Sequence, residues 1–99
     1  MSASAGRAGL ADEMRVLLAD LAAERIEIED QSAAHAGHAG AAAGGGHYAL
    51  VLVSGAFGGL TSLQRHRLVY ARLGALMPAR IHALSMRLLT PEEARAAAV

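Results

Sequence analysis

Ninety-nine residues are enough for one small domain with one modest core. Hydrophobic residues make up 54% of the chain, but alanine supplies much of that and only Tyr48, Phe57 and Tyr70 are aromatic, so Leu, Val, Ile and Met must fill the core. The chain has no cysteine, which excludes disulfides and thiolate chemistry of its own, and its nine basic and nine acidic side chains cancel to a formal net charge of zero.

Residues 1–9 are small and aperiodic and read as a loose tail, ahead of a single domain over residues 10–95. Leu10, Met14, Leu17, Leu18 and Leu21 then recur at helical spacing, with Asp12, Glu13, Arg15 and Asp20 on the other face, so an amphipathic helix is predicted. The early acids leave no charged-then-apolar signal pattern, and no run reaches the roughly 18 apolar residues of a membrane helix. A cytoplasmic protein without membrane contact is the expectation.

Arg25 to Asp30 alternates cleanly: Ile26 and Ile28 point one way, Glu27 and Glu29 the other, as in a half-buried strand. Residues 31–46 follow, rich in Ala and Gly and holding His35 and His38. The glycines Gly37, Gly40 and Gly44 to Gly46 predict a mobile loop. Tyr48 to Val53 is apolar on both faces and reads as a central strand. A turn over Ser54 to Leu60 leads to Thr61 and Gln64, which have capping-box spacing. The helix they start is predicted to run to about Met77, with Leu63, Leu68, Val69, Leu73, Leu76 and Met77 inward, until Pro78 stops it. Ile81 to Leu88 is the third strand, with His82, Leu84, Met86 and Leu88 on one face and Ile81, Ala83, Ser85 and Arg87 on the other. Thr90-Pro-Glu-Glu93 opens a short terminal helix with a second capping box. The order is αββαβα, an α+β fold. A helical crossover between the second and third strands implies that they run parallel, giving a three-stranded mixed sheet covered by helices.

The charges are segregated along the chain. Seven of the nine acids lie at or before Asp30, whereas Arg65, Arg67, Arg72, Arg80, Arg87 and all five histidines come after it. Compositional drift in a lysine-free chain accounts for this, and so does a basic face for an acidic partner or a phosphate backbone. With no cysteine, a soft metal or cluster would take histidine as its ligand here, or a partner must bring the thiols. His35-x-x-His38 without a cysteine or carboxylate partner is not a closed metal site, and solvated loop histidines account for it. A core-edge imidazole bonded to a carbonyl accounts for His82, and a structural role for His47. Arginines at a helix start oppose the helix dipole, so Arg65 and Arg67 need carbonyls, acids or a docked partner. No nucleophile has a plausible base, and Gly44 to Gly46 is followed by His-Tyr rather than Lys-Ser/Thr, so no phosphate-binding loop is present. A non-enzyme is expected.

Four strings occur in order: His47 to Ser54, Ala56-Phe-Gly-Gly59, Leu63-Gln-Arg-His-Arg-Leu-Val-Tyr70 and Ile81-His-Ala-Leu-Ser85. Together they resemble the BolA family over about Ile26 to Glu93. The resemblance implies a sheet-and-helix domain similar to class II KH domains. It also implies an adaptor that binds a monothiol glutaredoxin and shares a bridging [2Fe-2S] cluster with it and with glutathione, in iron-sulfur trafficking or iron homeostasis. In that family the histidine of the Ile-His-Ala-Leu string is a cluster ligand, which is His82 here. The second ligand comes from the loop after the first strand, which points to His35, with His38 in reserve. The partner-docking rim would be Arg65, His66 and Arg67. Histidine in place of thiolate removes negative charge from a cluster and raises its potential.

Nucleic-acid binding is the alternative, because the fold resembles KH and some BolA-like proteins regulate transcription. Gly55-Ala-Phe-Gly58 has the KH Gly-x-x-Gly spacing but carries no basic residue. Arg65, Arg67 and Arg72 would then carry weak, salt-dependent binding.

Overall fold

The run Tyr48–Val53 becomes part of the middle strand, as its two apolar faces require. The computed structural model describes residues 7–32 and 46–97. The elements are α1 (Arg7–Leu17), β1 (Arg25–Asp30), β2 (Gly46–Val53), α2 (Ser62–Leu73), β3 (Ile81–Leu89) and α3 (Pro91–Ala97). The sheet order is β1-β2-β3, with β1 antiparallel and β3 parallel to β2. This is the expected three-stranded mixed sheet with three helices. His35 and His38 lie outside the described residues.

One face of the sheet carries Ile26, Ile28, Tyr48, Leu50, Leu52, Leu84, Met86 and Leu88 and packs into the core with Leu10, Met14, Leu18 and Leu21 from the α1 side and Val69, Leu73 and Leu76 from the α2 side. Phe57, from the turn after β2, is wholly buried among them. Each large side chain so buried contributes about 1.5–3 kcal/mol of hydrophobic stabilisation. The acids Glu27 and Glu29 remain exposed, on the opposite face, as their alternation predicts.

Both capping boxes form. Thr61 Oγ1 accepts from the Gln64 N–H at 3.1 Å and Gln64 Oε1 accepts from the Thr61 N–H at 2.9 Å. Thr90 and Glu93 make the same reciprocal pair at 3.1 and 2.9 Å. Each pair satisfies two donors that a helix start leaves unpaired.

Three side-chain assignments differ from the sequence reading. Leu17 is 37% exposed rather than inward. After α1 the backbone tightens into a 3₁₀ turn, Ala19–Leu21, and three-residue winding brings Leu18 and Leu21 onto one face while Leu17 turns out. Likewise α2 ends at Leu73, not near Met77, and a 3₁₀ turn over Gly74–Leu76 aligns Leu73 with Leu76. Leu63 is 58% exposed. Its spacing of four and seven puts it with Arg67 and Tyr70, which are also exposed, and not with Val69 and Leu73.

The third difference matters most for the site. Gly46 pairs with Ile81, but His47 pairs with Ala83, so His82 is an extra residue in β3. This bulge sets His82 and Ala83 together against the single residue His47. The side-chain alternation changes phase there. Ile81 is buried in the core with Leu84, Met86 and Leu88, and His82 is exposed, the reverse of the face that unbroken alternation predicts. Gly46, opposite Ile81, has no space for a side chain: a Cβ there would collide with the Tyr48 ring.

Ser54 is the only buried polar residue among those described. Its hydroxyl donates to the Leu21 carbonyl at 2.5 Å and accepts from the Ala56 N–H at 3.0 Å, tying the end of β2 to the turn after α1. Ser54→Ala leaves the buried Leu21 carbonyl and the part-buried Ala56 N–H without that partner and is expected to cost about 1–3 kcal/mol, read from urea unfolding. Ala22 closes the first 3₁₀ turn at φ +48°, in the left-handed region. Ala22→Gly relieves that strain and is expected to raise stability by up to about 1 kcal/mol in the same assay.

Candidate functional site

The parallel pairing of β2 and β3 places their first residues side by side, and each strand opens near a histidine. The ring centroids of His47 and His82 stand 5.4 Å apart, with the ring planes tilted by 47°. His47 is held from the backbone. Its carbonyl accepts from the Gln31 N–H at 2.7 Å, and its N–H donates to Ser32 Oγ at 3.1 Å. The bulge sets the His82 backbone, and its side chain is exposed. Among the described residues, no group of three or more His, Asp or Glu converges as a closed metal site. The His82 imidazole stands at an exposed strand start, open on the side away from the sheet. The sequence reading gave His47 a structural role only. Its closeness to His82 was available from the parallel crossover, because parallel strands align start with start.

The Arg65-His66-Arg67 string divides into three different environments. Arg65 is spent on the fold: its side chain is only 13% exposed. Nε donates to the Leu60 carbonyl at 3.1 Å, and one terminal nitrogen donates to the Leu88 carbonyl at 3.1 Å. Both terminal nitrogens reach the Glu93 carboxylate, at 2.6 and 3.1 Å, and the guanidinium lies 5.9 Å from the Phe57 ring centroid. The side chain therefore pins α2 to the end of β3 and to α3. His66 Nδ1 lies 2.8 Å from the Ser62 carbonyl oxygen. A carbonyl only accepts, so Nδ1 carries the proton and Nε2 is left as the acceptor of the neutral ring. Arg67 is exposed and has no ion pair among the described residues.

A surface cleft of about 390 Å³ lies beside this string, lined by Ser62, Arg65, His66, Met86, Arg87 and Glu93 among others. Arg72, the third arginine expected to contact nucleic acid, is clamped by Asp20 at 2.9 and 2.6 Å. That hydrogen-bonded pair holds the Asp20 carboxyl below its ordinary range and raises the Arg72 guanidinium. Gly55-Ala-Phe-Gly58 forms a 3₁₀ turn capped by Ser54, with Phe57 facing the core rather than a ligand. None of the described helices is long and apolar enough to cross a membrane.

A family model described as BolA-like protein matches residues 17–93. BolA-like protein 1 of Homo sapiens is 37% identical over 75 residues, which cover 76% of this chain and 53% of that protein. A protein of Haemophilus influenzae named DNA-binding transcriptional regulator BolA is 35% identical over 71 residues, covering 72% of this chain and 66% of that one. Among solved structures, BolA1 from Arabidopsis thaliana matches with a TM-score of 0.72 at 39% identity, covering 84% of this chain and 93% of that one. The chain spans about half the length of the mammalian relatives it matches.

The Arg65–Glu93 clamp carries a pH signature. The Arg65 guanidinium, aided by the Thr90 N–H, lowers the Glu93 carboxyl from its usual 4.5 to about 2. A carboxyl depressed in the fold stabilises above its unfolded value and loses that contribution as pH falls through its folded value. Wild type is therefore expected to lose stability between pH 4.5 and about 2 through this group. Glu93→Gln is expected to flatten that part of the curve in urea unfolding at stepped pH.

Proposed function

The chain belongs to the BolA-like family, and we propose that it is an adaptor, not an enzyme, that pairs with a monothiol glutaredoxin and shares a [2Fe-2S] cluster with it. His82 carries the reading. It is the histidine that the family resemblance singles out, and the bulge presents it to solvent, where a second protein can reach it. The donor chemistry suits a half-site. This chain has imidazoles and no thiol, so the partner and glutathione must bring the thiolates. The cluster, when bound, supplies the transferable iron-sulfur unit; this chain supplies neutral nitrogen ligands and a docking face.

Chain connectivity supports a second ligand from the segment after β1. Ser32 lies against His47, since its Oγ takes the His47 N–H. The family resemblance assigns that ligand to His35, with His38 in reserve, and both lie outside the described residues. For docking, Arg65 is engaged within the fold, and His66 and Arg67 remain as the outward members of the string.

The test is anaerobic reconstitution with a monothiol glutaredoxin and glutathione, followed by visible circular dichroism. A spectrum that requires both proteins is expected, and it is expected to collapse in His82→Ala, a change at an exposed side chain that leaves the core intact. An unchanged spectrum in that variant sinks the ligand assignment. Absence of any heterocomplex sinks the adaptor reading.

One observation favours a second reading. A relative is named a DNA-binding transcriptional regulator, and Arg67 is exposed with no ion pair among the described residues. If nucleic acid is the partner, binding falls with salt, and Arg67→Ala reduces the salt slope by about 1. Arg65 and Arg72 contribute less to that reading, because the fold already neutralises them.

A further inference from the structure

The bulge that turns His82 outward also sets it beside His47, a residue to which the shared-cluster reading assigns nothing. We propose that His47 and His82 form a two-imidazole seat for one divalent cation of the zinc class, taken up by this chain without a partner. A metal bonded to an imidazole nitrogen at about 2.0 Å stands about 3.2 Å from that ring's centroid, so two rings on a tetrahedral ion have centroids about 5.2 Å apart. The observed separation is 5.4 Å. The 47° tilt is not a parallel stack, and it is compatible with two rings arranged radially about one ion.

The two ligands are held in complementary ways. The His47 backbone is pinned on the β1 side by Gln31 and Ser32, and it follows Gly46, whose Cα has no room for a side chain. His82 is exposed and turns about its Cα–Cβ bond, so it can bring a nitrogen to an ion already on His47. Imidazole pairs select borderline cations such as Zn²⁺, Ni²⁺ and Cu²⁺ over Mg²⁺ and Ca²⁺, which prefer oxygen. Two protein ligands leave the remaining positions to water, so the bound ion is exchangeable rather than structural. The proposal goes beyond the adaptor reading. It requires no glutaredoxin, and its test uses this chain alone, so the two succeed or fail separately.

The experiment is titration of the isolated full chain with Zn²⁺, read by calorimetry and by long-range ¹H–¹⁵N spectra of the histidine rings. The first equivalent is expected to move the ring nitrogens of His47 and His82 together. His82→Ala and His47→Gln are each expected to weaken binding at least about tenfold. His82→Ala keeps the test standing if His47→Gln fails to fold. Shifts confined to His35, His38 or His66 would overturn the proposal. So would undiminished affinity in His82→Ala or in a folded His47→Gln, and so would the absence of binding at millimolar Zn²⁺.

Discussion

The one-residue bulge at the start of β3 is the constraint on which the rest of the site depends. Without it, strict alternation would put His82 on the core face with Leu84, Met86 and Leu88. A buried imidazole there would need a polar partner among apolar side chains, and Ile81 would be turned toward solvent. The extra residue reverses both outcomes. Ile81 completes the core, His82 is presented outward, and His47 becomes its neighbour. Gly46 takes part because a side chain opposite Ile81 would collide with Tyr48, whose own burial anchors the start of β2. A polar site is thus obtained at the edge of an apolar sheet by a change of register, without burying a charge.

A second layer of order comes from charge pairing across the fold. In the sequence the acids come early and the arginines late, which suggests a basic surface. In three dimensions the late arginines meet acids from both ends of the chain. Arg80 grips Glu13 of α1 at 2.9 and 2.8 Å, Arg72 grips Asp20, and Arg65 grips Glu93 of α3. Each is a two-pronged guanidinium–carboxylate contact between elements distant in sequence, a geometry that fixes orientation as well as distance. Much of the arginine-rich middle therefore holds helices in place. Within that middle, Arg67 and Arg87 stand outside these pairs.

How much of this was legible in the sequence follows from the range of the interaction involved. Caps, strand alternation and the apolar middle strand are set by residues within a few positions of one another, and Thr61–Gln64, Thr90–Glu93 and Ile26–Ile28 all formed as their spacing predicts. The element order and the parallel pairing followed from them. What the pattern did not reveal depends on departures from regular winding. Two 3₁₀ turns re-aim Leu17 and shorten α2, and the bulge inverts His82, because a period of 3.6 or 2 carries no mark of where it breaks. The Arg65 clamp was half visible: the dipole argument demanded carbonyls or an acid, but only the tertiary fold selects Leu60, Leu88 and Glu93.

The rigid and the open parts of the molecule follow from the same division. The Ser54 hydroxyl and the Arg65 guanidinium lock the turn after β2 and the ends of α2, β3 and α3 into one body, well away from the strand starts in sequence. At the opposite end of β2 and β3, nothing comparable among the described residues holds the His82 side chain; the bulge fixes its backbone and leaves its ring outward. A ligand that must be shared, exchanged or surrendered gains from that arrangement. Its anchor keeps the donor at a defined place, and its exposure leaves most of the coordination sphere to be supplied from outside. A closed four-ligand site on the same sheet would bind more firmly and release less readily. With imidazoles at an open strand edge and no thiol of its own, the chain offers nitrogen donors that leave most of a coordination sphere open.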